Sequence, residues 1–204
     1  PKKYRDQDVV FNEAVQRLKK EHTIFLNLPT GFGKTITANK IIEKLGVPTM
    51  ILSYSENIRN QWLDVINENS NAKVQNIKSG NKIKRGYDIY IMGTMAAANI
   101  NSEDVDHIGL VIVDELHQTT QTCLSQSLLN FQPKYLIGLS ATAKRADGLH
   151  KLFELYFGKK EDHIIRKEIK PFIVYKINTP FKPEIKYKTY KVKQFLILQL
   201  YQLL

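Results

Sequence analysis

The chain has 204 residues, and its 43% hydrophobic and 25% charged residues are ordinary values for one packed domain with a small appendage. The formal net charge is +10. The single cysteine, Cys123, excludes a disulfide framework and a cysteine metal cluster. No apolar stretch reaches the length of a membrane span and no secretory signal opens the chain, so we expect a protein that works inside the cell without a membrane partner.

A glycine-containing loop over residues 28–35 is the most informative segment. It follows an apolar run and precedes a helical pattern, which is the setting of a phosphate-binding loop. Gly31 and Gly33 let the backbone turn tightly, so that its N–H groups can point at phosphate oxygens. Lys34 can then neutralise the β- and γ-phosphates of a nucleotide, and Thr35 can place its hydroxyl on Mg²⁺.

The loop departs from the strict phosphate-loop pattern at one position. Leu28 stands six residues before Lys34, where that pattern has glycine. The alternative interpretation is therefore a glycine turn that joins a strand to a helix. If a nucleotide does bind, we expect Thr30 and Phe32 to contact it together with the residues on either side of them.

Two further strand patterns, over 49–54 and 88–93, are each followed by a hydroxyl side chain. Ser55 and Thr94 suit sequence-independent hydrogen bonds to phosphate groups. Their alternative roles are helix capping and turn formation. Trp62, in the helical pattern after Ser55, is expected in the core rather than on the surface as a platform for stacking bases.

A continuous apolar run over 109–114 ends in acid, which is typical of a buried parallel strand. Ligands of open α/β sheets bind at this end of the strands. Asp114 would hold Mg²⁺ through water, Glu115 would orient and polarise the attacking water, and His117 would couple the nucleotide to another part of the protein. The alternative is an exposed acidic loop after a core strand.

The last clear strand pattern, over 135–140, ends in small hydroxyl residues. Ser140 and Thr142 can link the acidic strand to a neighbouring surface by hydrogen bonds. Taken alone, they would favour the interpretation of an ordinary turn after a strand.

Three of these segments together resemble motifs I, II and III of superfamily 2 helicases. They read Leu-Pro-Thr-Gly-Phe-Gly-Lys-Thr from residue 28, Asp-Glu-Leu-His from residue 114 and Ser-Ala-Thr from residue 140. That family commonly has Leu or Ala in place of the first glycine, and the Asp-Glu-x-His form is similar to its DExH group. Residues 140–148 resemble a signature of the xeroderma pigmentosum group B-like repair helicases and of related viral and phage helicases, with Ala143 in place of the usual proline.

The resemblance implies further site residues. Gln7 stands near the position where the family places a glutamine that reads the adenine edge. Residues 49–62 and 88–95 are similar to motifs Ia and Ib, which contact the sugar-phosphate backbone of a bound strand. The nucleic-acid and coupling residues implied in this way are Ser55, Arg59, Thr94, Ser140, Thr142 and Arg145.

Strand and helix patterns alternate over residues 1–158, which predicts an α/β fold with a mostly parallel sheet and helices on both faces. The resemblance makes this region the first RecA-like, ATP-binding lobe. Residues 159–204 are predicted to form a basic connector with short β-strands, over 171–177 and 185–192, and the start of a second lobe. Residues 159–193 hold 11 Lys and Arg against 4 Asp and Glu, which suits phosphate contacts or a solvated strand edge equally.

For the intact protein the resemblance implies a helicase or translocase that couples ATP hydrolysis to movement on DNA, with RNA as the alternative and Mg²⁺ as cofactor. Its partner would be a second RecA-like lobe of the same full-length chain, whose Gln-x-x-Gly-Arg-x-x-Arg pattern does not occur here. We therefore expect this lobe alone to be nearly inactive in turnover. A non-motor ATPase and a catalytically silent nucleic-acid-binding scaffold stay open, and so does the choice among nucleus, cytoplasm and viral replication site.

Overall fold

A parallel β-sheet organises the part of the chain that the computed structural model describes, which comprises residues 6–78, 80–116, 121–141, 150–159 and 162–166. Each of its strands is short and largely apolar, as expected for strands covered on both faces. Within the described residues the strands are β1 (Thr23–Asn27), β2 (Thr49–Ser53), β3 (Val74–Ile77), β4 (Ile89–Gly93), β5 (Leu110–Asp114), β6 (Tyr135–Ser140) and β7 (Ile164–Ile165).

The sheet order is β3-β4-β2-β5-β6-β1-β7, and every neighbouring pair is parallel. The carboxyl ends of β1, β2, β4, β5 and β6 therefore lie side by side where these strands end. We call this side of the sheet the carboxyl edge, as distinct from the outer strands β3 and β7. Strand β6 lies between β1 and β5, so the glycine loop after β1 and the acidic residues after β5 are one strand apart.

Helices cover both faces of this sheet, as the sequence pattern predicts. Helices α1, α2 and α3 share one apolar core with alternate strand residues such as Ile24 and Leu26, while α4, α5 and α6 share the other core with Phe25 and Met50. The helices are α1 (Gln7–Glu21), α2 (Lys34–Leu45), α3 (Glu56–Asn69), α4 (Thr94–Ala97), α5 (Gln121–Leu129) and α6 (His150–Phe157), and a 3₁₀ turn spans Ser102–Asp104.

The predicted strands over 23–28, 49–54, 88–93, 109–114 and 135–140 are confirmed as β1, β2, β4, β5 and β6. The sequence analysis missed β3 and β7. Strand β3 carries Gln75 and Asn76, and β7 is two residues long, so neither has a strong apolar pattern. Both gain their hydrogen bonds at the edges of the finished sheet, from β4 and β1.

Two predicted strands, over 171–177 and 185–192, lie outside the described residues. None of the helices in the described ranges is both long and apolar enough to cross a bilayer.

Candidate functional site

The loop between β1 and α2 has the backbone that a phosphate-binding loop requires. Gly31 and Gly33 have φ angles of 80° and 93°, in the left-handed region that favours glycine. Gly33 is also the residue before the first turn of α2, and a Cβ atom there would collide with the side-chain amide of Gln7. The loop therefore ends at a helix N-terminus, whose free N–H groups favour an anion.

The side chain of Gln7 reaches this loop from the start of α1. Its Nε2 atom donates a short hydrogen bond to the carbonyl oxygen of Phe32, whose ring is buried. Gln7 therefore contacts the loop itself in this structure, and its contact with an adenine base stays a prediction. Thr30 is exposed at the loop surface, and Thr35 is half-buried in the first turn of α2.

The ammonium group of Lys34 lies between the loop and the acidic strand. Its Nζ atom is 3.4 Å from the carbonyl oxygen of Leu28 and 3.7 Å from Oε1 of Glu115. Both distances are long for a hydrogen bond, although the Lys34 side chain is only 12% exposed. A phosphate oxygen can therefore replace these contacts at little cost.

Asp114, at the end of β5, accepts one hydrogen bond on each carboxylate oxygen. Its Oδ2 accepts from the indole Nε1 of Trp62 at 2.7 Å, and its Oδ1 accepts from the backbone N–H of Glu115 at 2.8 Å. Burial raises the pKa of Asp114 above its ordinary value, the Trp62 hydrogen bond opposes that rise, and the Glu115 charge adds to it.

Trp62 is fully buried, so the prediction that it belongs to the core is confirmed. The sequence analysis missed its second role as a hydrogen-bond donor to Asp114. The sequence contained a usable signal, because a buried indole N–H needs a polar partner and the polar residues at strand ends can supply one.

Glu115 has a φ angle of 48°, an uncommon value for a residue other than glycine. This conformation turns the chain directly after the strand, at the residue whose backbone N–H donates to the Asp114 carboxylate. The fold thus brings Lys34, Asp114 and Glu115 together, although β1, which precedes the Lys34 loop, and β5 are not adjacent in the sheet. We call this group, with Gln7 and the glycine loop, the phosphate-loop site.

The donor set of the phosphate-loop site suits Mg²⁺. The described residues contain no cluster of three or more His, Cys, Asp or Glu side chains that could cage a metal ion. Mg²⁺ is usually held by one or two carboxylates, with waters and substrate phosphates as its other ligands. Asp114 keeps a free lone pair on each oxygen, and Thr35 can add a hydroxyl.

A polar cleft of about 560 Å³ lies farther along the carboxyl edge, at the ends of β2, β3 and β4. Arg59 is fixed in its wall, because its Nη1 donates to the carbonyl oxygens of Ser53 at 3.1 Å and Tyr54 at 3.4 Å. The lining residues are Tyr54, Glu56, Arg59, Asn60, Asn76, Ile77, Lys78, Gly93, Thr94, Met95, Ala96 and Asn99.

Three hydroxyl side chains near this polar cleft lack the hydrogen bond that would give them a structural role. The buried Oγ of Ser53 and Oγ1 of Thr94 have no hydrogen-bond partner among the described residues. Ser55 occupies the position before the first turn of α3, but its side chain forms no capping hydrogen bond there. Buried hydroxyls without partners are uncommon, so two of them at the ends of the neighbouring strands β2 and β4 mark a candidate ligand surface.

Ser140 is buried at the end of β6, between the two halves of the phosphate-loop site. Its carbonyl oxygen accepts from the backbone N–H of Leu28 at 3.1 Å. The side-chain nitrogen of Asn27, in the orientation that satisfies its polar atoms, donates to the carbonyl oxygens of Ser140 and Ala141. The other predicted residues, His117, Thr142 and Arg145, lie outside the described residues.

Comparison with known proteins gives a consistent family. A sequence model described as the type III restriction enzyme, res subunit, matches residues 2–145. The putative helicase 161L of Invertebrate iridescent virus 6 is 37% identical over 193 residues, which cover 89% of this chain and 42% of that protein. The DNA 3'-5' translocase XPB2 of Sulfurisphaera tokodaii is 31% identical over 147 residues, which cover 72% of this chain and 33% of that protein.

Solved structures show the same fold at lower identity. The SWI2/SNF2 ATPase core of Sulfolobus solfataricus, in complex with dsDNA, matches with a TM-score of 0.66 at 17% identity, over 78% of this chain and 36% of that chain. The UvsW helicase of Bacteriophage T4 matches with a TM-score of 0.64 at 18% identity, over 78% and 59%. This chain spans 42%, 59% and 41% of the length of three curated relatives from iridescent viruses and Frog virus 3.

Proposed function

This chain belongs to the family described as the res subunit of type III restriction enzymes, as the first RecA-like lobe of a superfamily 2 helicase, and from this premise we propose that the whole protein is an ATP-driven translocase on nucleic acid. The observation that carries the proposal is the joint position of the phosphate-loop site and the polar cleft on one sheet edge, with α3 between them. Such a protein acts where nucleic acid is, inside the cell.

The phosphate-loop site has a group for each requirement of phosphoryl transfer to water. The backbone N–H groups after Gly31 would hold the phosphates, and Lys34 would neutralise their charge. Glu115 would orient the attacking water and accept its proton. Thr35 and Asp114 would hold Mg²⁺, which supplies positive charge to the phosphate oxygens when it is bound.

The polar cleft would hold the sugar-phosphate backbone. Arg59 can reach a phosphate while its other contacts keep the guanidinium in place, and Thr94 and Ser55 can add hydroxyl donors. We infer DNA as the track, because the relative XPB2 is named a DNA translocase and the similar SWI2/SNF2 core is in complex with dsDNA. A relative of Acanthamoeba polyphaga mimivirus is named a putative RNA helicase, so RNA is the alternative to be tested.

Helix α3 offers a direct route between the two sites. Arg59 and Trp62 are three residues apart and therefore lie on one side of this helix. Arg59 contacts the end of β2 beside the polar cleft, and Trp62 contacts the carboxylate that would hold Mg²⁺. A shift of α3 caused by a bound strand would therefore move a donor of Asp114.

The whole protein would need a second lobe to complete catalysis. We propose that this lobe supplies the arginine that stabilises the transferring phosphoryl group, and that Ser140, Thr142, Arg145 and His117 couple the two lobes. Since such an arginine contributes about 10³ to 10⁵ in rate in related enzymes, residues 1–204 alone should hydrolyse ATP very slowly.

The test measures ATP turnover by the full-length protein and by residues 1–204, each with and without single- and double-stranded DNA and RNA. We expect the full-length protein to be stimulated by DNA, and a Lys34→Ala variant to lose nucleotide binding in both forms. Turnover that no nucleic acid stimulates would indicate a non-motor ATPase. Absence of nucleotide binding by both forms would indicate a silent scaffold and would overturn the proposal.

A further inference from the structure

A strongly basic loop joins β3 to β4, and of its basic residues only Lys78 lines the polar cleft described so far. Between residues 78 and 85 the sequence has four basic residues and no acidic one. We call residues 78–85 the lysine loop. Its cations are Lys78, Lys82, Lys84 and Arg85.

Side chains of the sheet hold the backbone of the lysine loop in place. The Gln75 side chain donates to the carbonyl oxygen of Lys82 at 2.9 Å and accepts from the backbone N–H of Lys84 at 3.0 Å. The Tyr90 hydroxyl donates to the carbonyl oxygen of Lys84 at 3.0 Å. The backbone at Lys82 and Lys84 is therefore held in place before any ligand binds, which reduces the entropy that binding would lose.

One of the four basic side chains of the lysine loop forms an ion pair, and the other three form none within the described residues. Arg85 forms an ion pair with Asp106, which ties the loop to the segment before β5. Lys78, Lys82 and Lys84 are exposed and form no ion pair with any residue in the described ranges. Three unpaired ammonium groups on a fixed backbone create a local positive potential.

The lysine loop borders a second cleft of about 520 Å³ that continues the polar cleft. Four residues line both clefts, so the two share a wall: Ile77, Lys78, Ala96 and Asn99. The second cleft adds the amides of Asn81 and Asn101, which can donate to phosphate oxygens, and one carboxylate, Asp104.

We propose that the lysine loop is a second binding site for the phosphodiester backbone, on the part of a strand that extends past the polar cleft. This inference rests on the proposed function, because it continues the same nucleic-acid track. Lysine contacts of this kind release counterions, depend strongly on salt and do not read sequence. The loop would therefore lengthen the bound segment and strengthen binding without adding base specificity.

The experiment compares two triple variants of the full-length protein with equal charge change. The first is Lys78→Gln, Lys82→Gln and Lys84→Gln. The control is Lys19→Gln, Lys20→Gln and Lys44→Gln, whose exposed lysines end α1 and α2 at the opposite edge of the sheet. Binding of fluorescent DNA is measured by anisotropy at several salt concentrations, with oligonucleotides from about 4 to about 16 nucleotides.

We expect the first variant to bind the longer oligonucleotides roughly ten- to a hundredfold more weakly, and its slope of log K against log salt to fall by about 2 to 3. The shortest oligonucleotide and the control variant should show no such change. Thermal unfolding of both variants shows that the fold is retained.

The experiment distinguishes failure of the lysine-loop inference from failure of the proposed function. If both triple variants bind like the parent while Arg59→Gln weakens binding, the lysine loop is no site and the proposed function stands. If the parent protein binds no oligonucleotide, or Arg59→Gln changes nothing, the nucleic-acid assignment of the polar cleft is wrong and the lysine loop inference is overturned with it.

Discussion

The phosphate-loop site and the polar cleft lie on the same edge of one sheet, but their polar groups are organised differently. In the phosphate-loop site the charged groups are buried or largely buried and each lies beside a partner: Lys34 lies beside Glu115, and Asp114 accepts a hydrogen bond from Trp62. Around the polar cleft, exposed lysines form no ion pair within the described residues, and the Thr94 hydroxyl has no partner there. The first arrangement suits one small ligand and a reaction, since preorganised charges stabilise a transition state. The second suits a long polymer that must slide.

The two regions meet at α3, which contributes Arg59 to one and Trp62 to the other. The comparison therefore predicts that changes in the phosphate-loop site affect catalysis and stability, and that changes in the cleft affect salt-dependent binding. Three substitutions at the phosphate-loop site test its part of this separation, and the Arg59 and lysine-loop variants described above test the other part.

Glu115→Gln should have the largest effect. The amide cannot accept a proton from water, so we expect turnover by the full-length protein to fall by about 10² to 10⁴. Binding of ATP and of DNA should persist, because the side chain keeps its size. Glu43→Gln, on an exposed position of α2, is the matched control. Hydrolysis near the parent rate would remove Glu115 from its catalytic role.

Trp62→Phe should have an intermediate effect, on stability and on Mg²⁺ dependence together. Phenylalanine keeps an aromatic ring but leaves Oδ2 of Asp114 without its donor, and losing the partner of a buried polar group costs about 1–3 kcal/mol. The free energy of unfolding, measured by circular dichroism, should fall by at least that amount, because the smaller ring also leaves a cavity in the core, and half-maximal turnover should need more Mg²⁺.

Because Trp62 is the only tryptophan of residues 1–204, its fluorescence in that fragment offers a further readout. Its emission should change when nucleotide and Mg²⁺ bind, and this change should be lost in Asp114→Ala. A Trp62→Phe variant with parental stability and parental Mg²⁺ dependence would show that the hydrogen bond does not position Asp114.

Asp114→Asn should have the smallest effect, which is on the pH dependence of stability. Burial raises the pKa of Asp114 above its ordinary value of 3.8, so the folded parent loses stability as pH rises from 3.8 through the raised pKa. Asparagine carries no charge, so the variant should lack this pH-dependent loss. Its amide oxygen can still accept from Trp62, but its NH2 group then faces the backbone N–H of Glu115 and loses that hydrogen bond, which offsets the gain near neutral pH. Melting temperatures across that pH range provide the measurement.

The same variant checks the cause of the Trp62 effect. If Trp62→Phe acts through the Asp114 charge, its cost should shrink in an Asp114→Asn background, which a double-mutant cycle measures directly. An Asp114→Asn variant that follows the parent's pH dependence of melting would contradict the assignment of that dependence to Asp114.

Local patterns were sufficient to predict much of the fold and the location of the candidate site. The apolar runs of five strands and the amphipathic face of α1 are visible in the sequence, and the residues of that face, Val10, Ala14, Val15 and Leu18, are buried. The loop with Gly31 and Gly33 has the left-handed backbone that its glycines allow. Each of these features depends on residues close together along the chain, where composition and spacing carry the information.

The contacts that organise the site depend instead on the order of the strands in the sheet. The Trp62 and Asp114 side chains are brought together across 52 residues, and Lys34 meets Glu115 because a single strand, β6, separates β1 from β5. The edge strand β3 likewise depends on its pairing with β4. The Gln75 side chain of β3 then bonds to the backbone of the lysine loop. The sequence by itself determined the parallel strands, the phosphate loop and the acidic strand end. Only the tertiary structure decided which polar groups acquire partners, because those hydrogen bonds form between segments whose proximity no local pattern encodes.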